Sequence, residues 1–148
     1  MLVTTSANPS PHIVRQAEAL AEELRAKFAR RDTRTLAQLA TQYDDSQIWI
    51  VSERDLRYKN GDSPPMFFHP SMAMIRMKRL LRGESDTMLA AARVEPGDRI
   101  IDCTMGLASD AVVFAAAAGL TGEVIAVESE LVPYILAREG LRTYSSGI

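Results

Sequence analysis

The pattern in residues 99–141 limits the fold most, because short apolar runs alternate there with helical segments over very short connections. Residues 99–103, with Ile100 and Ile101 at their centre, and the apolar residues 124–127 are bounded by turn residues, which is typical of strands. A helical pattern follows each run, over residues 109–118 and 131–141. Strand, helix, strand and helix in this order predict a βαβ unit whose two strands are parallel.

The residues before this unit predict a small α+β arrangement. Residues 2–5 and 48–51 are predicted strands, residues 56–58 are the hairpin partner of the second, and residues 35–42 form a short helix. A longer helix is predicted from an apolar stripe with helical spacing. Its members are Ile13, Ala17, Leu20, Ala21, Leu24 and Phe28. Prolines in residues 61–70 exclude a regular helix or a central strand and predict a linker, after which two further helices follow.

These patterns predict an α/β chain in three parts. An N-terminal α+β subdomain covers residues 1–62, a linker with helices that pack on the core covers 63–96, and the first βαβα of a ligand-binding domain covers 97–148. Two strands are only part of a full parallel sheet, so we expect the last part to be incomplete. A sheet with an open edge also favours a homo-oligomer.

The composition excludes several classes of protein. Of the 148 residues, 47% are hydrophobic and 24% are charged, as in globular proteins, and no apolar run reaches the length of about 18 residues that a membrane helix needs. The first residues do not resemble a secretory signal, and a single cysteine, Cys103, excludes an internal disulfide. We expect a cytoplasmic protein with no metal site and no membrane contact, and we interpret Cys103 as a core residue.

Basic residues cluster in two segments, although the net charge is −2. Such clusters can bind the phosphates of nucleic acid, so seven side chains are candidates for contacts with RNA. They are Arg30, Arg31, Arg34, Arg76, Lys78, Arg79 and Arg82. A solvated helix face is the alternative interpretation of each cluster.

The loop after the first strand of the βαβ unit holds the candidate binding residues. Ligands bind such units at the carboxyl ends of the strands, and small residues let the backbone approach them. Thr104, Gly106 and Ala108 alternate in this loop, and Asp102 ends the strand before it. Glu128 ends the second strand, 22 residues after Gly106, where a carboxylate is placed to accept hydrogen bonds from ribose hydroxyls.

The ligand is predicted to be a nucleoside without phosphates. A dinucleotide site needs the glycines of a G-x-G-x-x-G motif, and here only Gly106 is glycine. Asp102 would repel a pyrophosphate but attract the ammonium group of an amino acid. S-adenosylmethionine therefore fits better than a nicotinamide dinucleotide. In a purely structural alternative, Asp102 caps the following helix and Glu128 is a solvated strand end.

Residues 102–111, D-C-T-M-G-L-A-S-D-A, with the acid at position 128, resemble motifs I and II of class I S-adenosylmethionine-dependent methyltransferases. The string is more similar still to D-A-T-A-G-L-G-R-D-A, the signature of the bacterial small-subunit ribosomal RNA guanine methyltransferases known as RsmJ. Residues 68–76 and 82–84 are similar to uncharacterised Gram-positive relatives of that family. The resemblance covers roughly residues 66–142. It implies the N-terminal part of the Rossmann-like class I methyltransferase fold and methyl transfer to ribosomal RNA.

The resemblance also implies which residues bind the cofactor. These are Asp102, Thr104, Gly106, Ser109, Asp110, Glu128 and Ser129. Asp102 and Gly106 would shape the methionine end of the pocket, and Glu128 would hold the ribose. The two residues at the start of the helix would line the cofactor, and Ser129 would lie beside the adenine.

The sequence departs from the family pattern in two respects. Ala108 and Ser109 stand where the family usually has glycine and arginine. The alanine costs little if its φ is negative, and the lost arginine removes one contact. Enzymes that methylate amines carry the motif D/N-P-P-[YF] after the fourth strand of the sheet. Only two strands of such a sheet are predicted in this chain, so its catalytic residues are unknown. The alternatives are a non-catalytic cofactor-binding or oligomerising fragment and, less favoured, a nucleotide-cofactor oxidoreductase.

Overall fold

The computed structural model describes residues 1–144, apart from the side chain of Ser71, and shows a mixed α/β chain in two compact units. The first unit is Met1–Phe68, and the second begins at His69. Across the described residues, no helix combines the length and the apolar character needed to cross a membrane.

Within residues 1–68, the first unit forms a five-stranded mixed sheet with two helices. Its elements are β1 (Leu2–Thr5), α1 (Pro11–Glu23), β2 (Lys27–Phe28), α2 (Leu36–Tyr43), β3 (Gln47–Val51), β4 (Leu56–Asn60) and β5 (Met66–Phe67). The strand order is β2-β1-β3-β4-β5. β1 is parallel to both β2 and β3, whereas β4 is antiparallel to β3 and β5. Because the chain moves from β1 to β2 on one side and later to β3 on the other, the carboxyl end of β1 is a topological switch point.

The centre of this sheet is buried on both faces. All four residues of β1 are buried, and so are four of the five residues of β3. On one face, Leu2 and Ile48 pack with Leu39 of α2. α1 turns its buried residues Ile13 and Ala17 into the unit. A strand that is covered on both faces is apolar at nearly every position, which explains the continuous apolar run of residues 48–51.

Two segments of the first unit differ from the prediction. α1 ends at Glu23, since Arg25 has a left-handed backbone with φ of 50°, and Phe28 lies in β2. The prediction that Phe28 continues the helical stripe is therefore wrong. In the segment predicted as a linker, Met66–Phe67 forms β5 at the edge of the sheet. An edge strand tolerates neighbouring prolines because one side of it needs no ladder hydrogen bonds.

Within residues 69–144, the second unit combines helices with a pair of parallel strands. Its elements are α3 (Ser71–Leu81), α4 (Thr87–Ala92), β6 (Arg99–Asp102), α5 (Ser109–Ala118), β7 (Glu123–Ala126) and α6 (Leu131–Thr143). β6 and β7 pair in parallel with Asp102 opposite Ala126, which confirms the predicted βαβ unit. Its helical core joins Ala73 and Met77 of α3 to Leu89 of α4 and to Val113 of α5.

One face of the β6–β7 pair is exposed in the described residues. Ile101 is 65% exposed, Val127 is 50% exposed and Ile125 is 44% exposed. Cys103 directly follows β6 and is also exposed, so the interpretation of this cysteine as a core residue is wrong. The apolar side chains of this face are those that a covering layer would bury. We call Ile101, Ile125 and Val127 the exposed sheet face.

Candidate functional site

The loop between β6 and α5 is fastened to the end of β7. Val127 N–H donates to the Asp102 carbonyl at 2.7 Å, and Met105 N–H donates to the Val127 carbonyl at 3.0 Å. The side chain of Met105 is buried, and it anchors the loop to the interior of the unit. These contacts hold the loop at the carboxyl ends of both strands, where parallel sheets bind ligands. We call this loop, residues 102–108, the binding loop.

Glu128 joins the binding loop to the segment after β7. Its Oε2 accepts a hydrogen bond from Gly106 N–H at 2.8 Å, and its Oε1 accepts one from Glu130 N–H at 2.9 Å. Hydrogen bonds from the backbone of Glu130 and of Gly106 lower the pKa of Glu128 below its ordinary value. The carboxylate is therefore ionised at neutral pH. Each oxygen has a second lone pair with which it can accept a hydrogen bond from a ligand hydroxyl.

Asp102 contributes a buried carboxylate with one oxygen unused. The residue is 9% exposed, and its Oδ1 accepts a hydrogen bond from Thr104 N–H at 3.0 Å. Its Oδ2 is buried and has no hydrogen-bond partner among the described residues. The N-cap of α5 is Ala108, with no side-chain capping bond, so the alternative in which Asp102 caps this helix is wrong. A buried carboxylate oxygen without a donor is costly, and a ligand that brings a donor would relieve that cost.

Two residues of the binding loop have left-handed backbones. Gly106 has φ of 54° and Ala108 has φ of 63°. Glycine adopts this conformation freely, whereas an L-residue with a Cβ pays roughly 1–2 kcal/mol for it. The condition under which the alanine would cost little, a negative φ, is therefore not met at Ala108. The glycine of the resembling family at this position fits the same geometry.

The other predicted cofactor-binding residues surround the binding loop. Thr104 and Ser129 are exposed, and Ser129 donates hydrogen bonds to the Glu128 carboxylate. Ser109 is the first residue of α5 and is half-buried. The side chain of Asp110 is exposed and forms an ion pair with Arg76 of α3. The structure thus gathers all the predicted residues at one end of the β6–β7 pair, with Asp110 already engaged by a cation.

Arg76 holds the helices of the second unit together. Its Nε donates to Asp86 Oδ2 at 2.7 Å and its Nη2 donates to Asp86 Oδ1 at 2.9 Å, while its Nη1 donates to Asp110. Hydrogen bonding by Arg76 lowers the pKa of Asp86 to about 2, and Asp86 in turn raises the pKa of Arg76. The side chain is half-buried and engaged in these ion pairs. Its predicted contact with RNA stays a prediction. Sequence reasoning missed this network because its members lie 10 and 34 residues apart.

The other side chains predicted to contact RNA differ in whether groups of the chain itself already bind them. Arg34 donates to the side chains of Gln42 and Asp32, and Arg79 forms an ion pair with Glu84. Within residues 1–144, no acidic side chain forms an ion pair with the four other cations. They are Arg30, Arg31, Lys78 and Arg82, of which Arg31 is half-buried and the others are exposed.

Comparison with known proteins finds a bacterial relative. No family model and no solved structure matches the chain. The chain is 38% identical over 148 residues to a protein of Bacillus subtilis (strain 168), the uncharacterized protein YpiP. The match covers 99% of this chain and 57% of that relative, so the chain spans little more than half of the length of the protein it resembles.

Proposed function

We propose that the chain carries the cofactor-binding part of an S-adenosylmethionine-dependent methyltransferase, with the N-terminal part of a Rossmann-like class I methyltransferase fold in its second unit. One observation supports this most directly. The carboxylate of Glu128 meets the backbone of Gly106 across the carboxyl ends of two parallel strands. Parallel sheets with an acid in this position bind the ribose of a nucleoside.

The residues present fit this cofactor. Glu128 offers an ionised carboxylate to two ribose hydroxyls, and charge-assisted hydrogen bonds of this kind are among the stronger ones. Asp102 offers a buried Oδ2 that lacks a donor, which suits the ammonium group of the amino-acid tail. A pyrophosphate would be repelled by the same carboxylate, which disfavours a nucleotide-cofactor oxidoreductase. When bound, S-adenosylmethionine would supply an electrophilic methyl group.

We propose ribosomal RNA as the methyl acceptor. The resemblance of residues 102–111 to ribosomal RNA methyltransferases supports this choice, as do the exposed cations Lys78 and Arg82 in the same unit. Cations of this kind bind phosphates without reading sequence. Enzymes that modify a base must take it out of its stack, so these side chains would hold the strand while the base enters the site.

Calorimetric titration of the 148-residue chain with S-adenosylmethionine and S-adenosylhomocysteine tests the cofactor proposal. We expect binding that Glu128→Ala weakens at least about tenfold, since the ribose would lose a charge-assisted hydrogen-bond acceptor. Glu123→Ala is the matched control, because Glu123 lies at the other end of β7 and pairs with Arg99. A folded chain that binds neither compound, or equal weakening by both substitutions, would contradict the proposal. Transfer of a labelled methyl group to ribosomal RNA then tests the acceptor.

A cofactor-binding module that associates with a second copy of itself is the second candidate, and the exposed sheet face favours it. Monomeric proteins usually expose large apolar side chains singly, whereas this face exposes three of them together on two strands. Light scattering during size-exclusion chromatography measures the mass in solution. We expect a dimer that Ile101→Lys returns to a monomer, with Leu120→Lys as the control because Leu120 is fully exposed at a turn away from this face. A monomer at every concentration would exclude this candidate.

A further inference from the structure

The first unit has an open cleft beside its central strand β1. The cleft has a volume of about 250 Å³ and lies at the carboxyl ends of β1 and β2. Thr5 is the last residue of β1, and Asn8 belongs to the loop that leads into α1. Arg30 and Arg31 follow β2 and line the same cleft. Open α/β sheets bind their ligands outside the carboxyl ends of their parallel strands, which is where this cleft lies.

Two guanidinium groups make this cleft positive. In residues 1–144, neither Arg30 nor Arg31 forms an ion pair with an acidic side chain. Arg31 uses its Nε to donate to the Arg34 carbonyl at 3.3 Å, and its Nη1 and Nη2 have no protein acceptor among the described residues. Asp32 also lines the cleft, but its carboxylate accepts a hydrogen bond from Arg34 at 3.1 Å, so its charge is compensated. The cleft thus retains two unneutralised positive charges.

Arg34 fixes the turn that carries these two charges. Its Nε donates to the Arg31 carbonyl at 3.4 Å, its Nη2 donates to the Arg30 carbonyl, and its Nη1 donates to Gln42 at 2.8 Å. The backbone of the turn is therefore held before a ligand arrives. A site whose groups are already ordered loses less entropy on binding. Arg34 is a positioning residue here rather than a direct contact.

The chemistry of the cleft fits one nucleotide phosphate with part of its sugar or base. Guanidinium groups match the geometry of phosphate oxygens better than ammonium groups do. Val14 and Phe28 give the cleft an apolar portion on which a sugar or base can pack. α1 begins beside the cleft, and the N-terminal end of a helix of this length adds a partial positive charge.

We propose that this cleft binds the phosphate of a nucleotide, supplied either by a free mononucleotide or by a single-stranded RNA, through Arg30 and Arg31. The inference goes beyond the methyltransferase proposal, since the cleft belongs to the first unit and would bind phosphate whether or not the second unit transfers methyl groups. It gives the first unit a ligand of its own.

Calorimetric titration of the 148-residue chain with adenosine 5′-monophosphate, adenosine and hexa-adenylate tests this proposal. We expect binding of at least one phosphate-containing ligand, weakening as salt rises, and much weaker binding of adenosine by the Glu128→Ala chain, in which the proposed nucleoside site of the second unit is disabled. The double variant Arg30→Gln/Arg31→Gln should lose at least about tenfold in affinity. Arg15→Gln/Arg25→Gln is the matched control, because it removes the same charge from residues outside the cleft, and it should change the affinity less than about twofold.

The outcomes separate the two sources of phosphate and the two sites. Tighter binding of hexa-adenylate than of the mononucleotide assigns the cleft to RNA, and equal binding assigns it to a mononucleotide. The Glu128→Ala chain keeps the cleft but lacks the ribose acceptor of the second unit, so loss of phosphate binding in that variant would place the ligand in the second unit and overturn the proposal. Binding of adenosine by the Glu128→Ala chain as tight as that of the phosphate ligands would also overturn it, as would failure of a folded wild-type chain to bind either phosphate ligand. Matching circular dichroism spectra and melting temperatures show that the variants fold.

Discussion

Gly106 N–H and Glu128 Oε2 lie 2.8 Å apart, although 22 residues separate the two positions in the sequence. The bond joins the loop after β6 to the segment after β7, so one carboxylate both closes the binding loop and remains exposed to a ligand. A substitution of Glu128 therefore changes two properties together, the order of the loop and the acceptor that faces a ribose.

Cofactor binding is expected to change little between about pH 7 and about pH 5. Hydrogen bonds from the backbone of Glu130 and Gly106 lower the pKa of Glu128 below its ordinary value of 4.5. Because the folded-state pKa is lowered, the ionised carboxylate persists above 4.5 and is lost only as the pH falls through the lowered pKa. Calorimetric titrations with S-adenosylmethionine at several pH values measure this. A marked loss of affinity above pH 5 that Glu128→Gln abolishes would show that the carboxylate is not held in its ionised form.

Asp102→Asn is expected to lower cofactor affinity by at least about tenfold without destabilising the free chain. Asparagine retains an oxygen for Thr104 N–H, and it replaces the unpartnered, buried Oδ2 with a neutral group. The free energy of unfolding should stay within about 1 kcal/mol of the wild-type value, because the Thr104 N–H keeps its acceptor. Urea denaturation and calorimetry together measure the two effects.

Asp110→Asn is the contrasting variant, since Asp110 is engaged by Arg76 rather than left without a partner. We expect its cofactor affinity to stay within about twofold of that of the wild type. A larger loss for Asp110→Asn than for Asp102→Asn would reverse the roles that we assign to these carboxylates.

Asp86→Asn is expected to destabilise the chain at neutral pH but not in strong acid. Asparagine keeps the capping bonds to the N–H groups of Met88 and Leu89, yet it loses the charged pair with Arg76. Arg76 lowers the pKa of Asp86 from 3.8 to about 2, so the pair stabilises the fold above pH 3.8 and this contribution is lost as the pH falls to about 2. We expect a difference of about 2 kcal/mol at pH 7 that closes in acid. Urea midpoints across this range measure it, and a difference that does not depend on pH would argue against the pair.

Ala108→Gly is expected to stabilise the chain by up to about 1 kcal/mol, because the left-handed backbone at this position strains an alanine. Ala116→Gly is the matched control, since Ala116 is exposed within α5 and glycine there should cost about 1 kcal/mol. Thermal and urea unfolding of both variants provide the comparison. If both glycines destabilise equally, then Ala108 is not strained in solution.

The parts of the structure that depend on local pattern could be predicted from the sequence. The parallel β6–β7 pair follows from two apolar runs and the helix between them. The contact between Glu128 and the loop that contains Gly106 could also be predicted, because the carboxyl ends of parallel strands share one edge of the sheet. The cap of α4 by Asp86 is equally local, since a short acidic side chain before a helix accepts its first N–H groups.

The parts that depend on distant contacts could not be predicted. Phe28 has the spacing of the α1 stripe, but the backbone of Arg25 turns left-handed without a glycine or proline to signal it. The exposure of Cys103 depends on whether another layer covers the sheet, which no local pattern reports. The positive φ at Ala108 is not signalled by a glycine, and its cost is small enough for the fold to absorb.

In the described residues, β6 pairs with β7 and with no other strand. This pairing predicts how fast the amide hydrogens of the second unit exchange with deuterated solvent. Alternate amide protons of a strand point to opposite edges, so about half of those in each of these strands lack a ladder partner in the described residues. Those protons should exchange rapidly, while the amides of α5 are protected by the helix itself. The two strands that carry the binding loop are thus the least protected regular elements beside it. If a ligand or a second copy of the chain covers these strands, slower amide exchange in β6 and β7 would be the first sign of it.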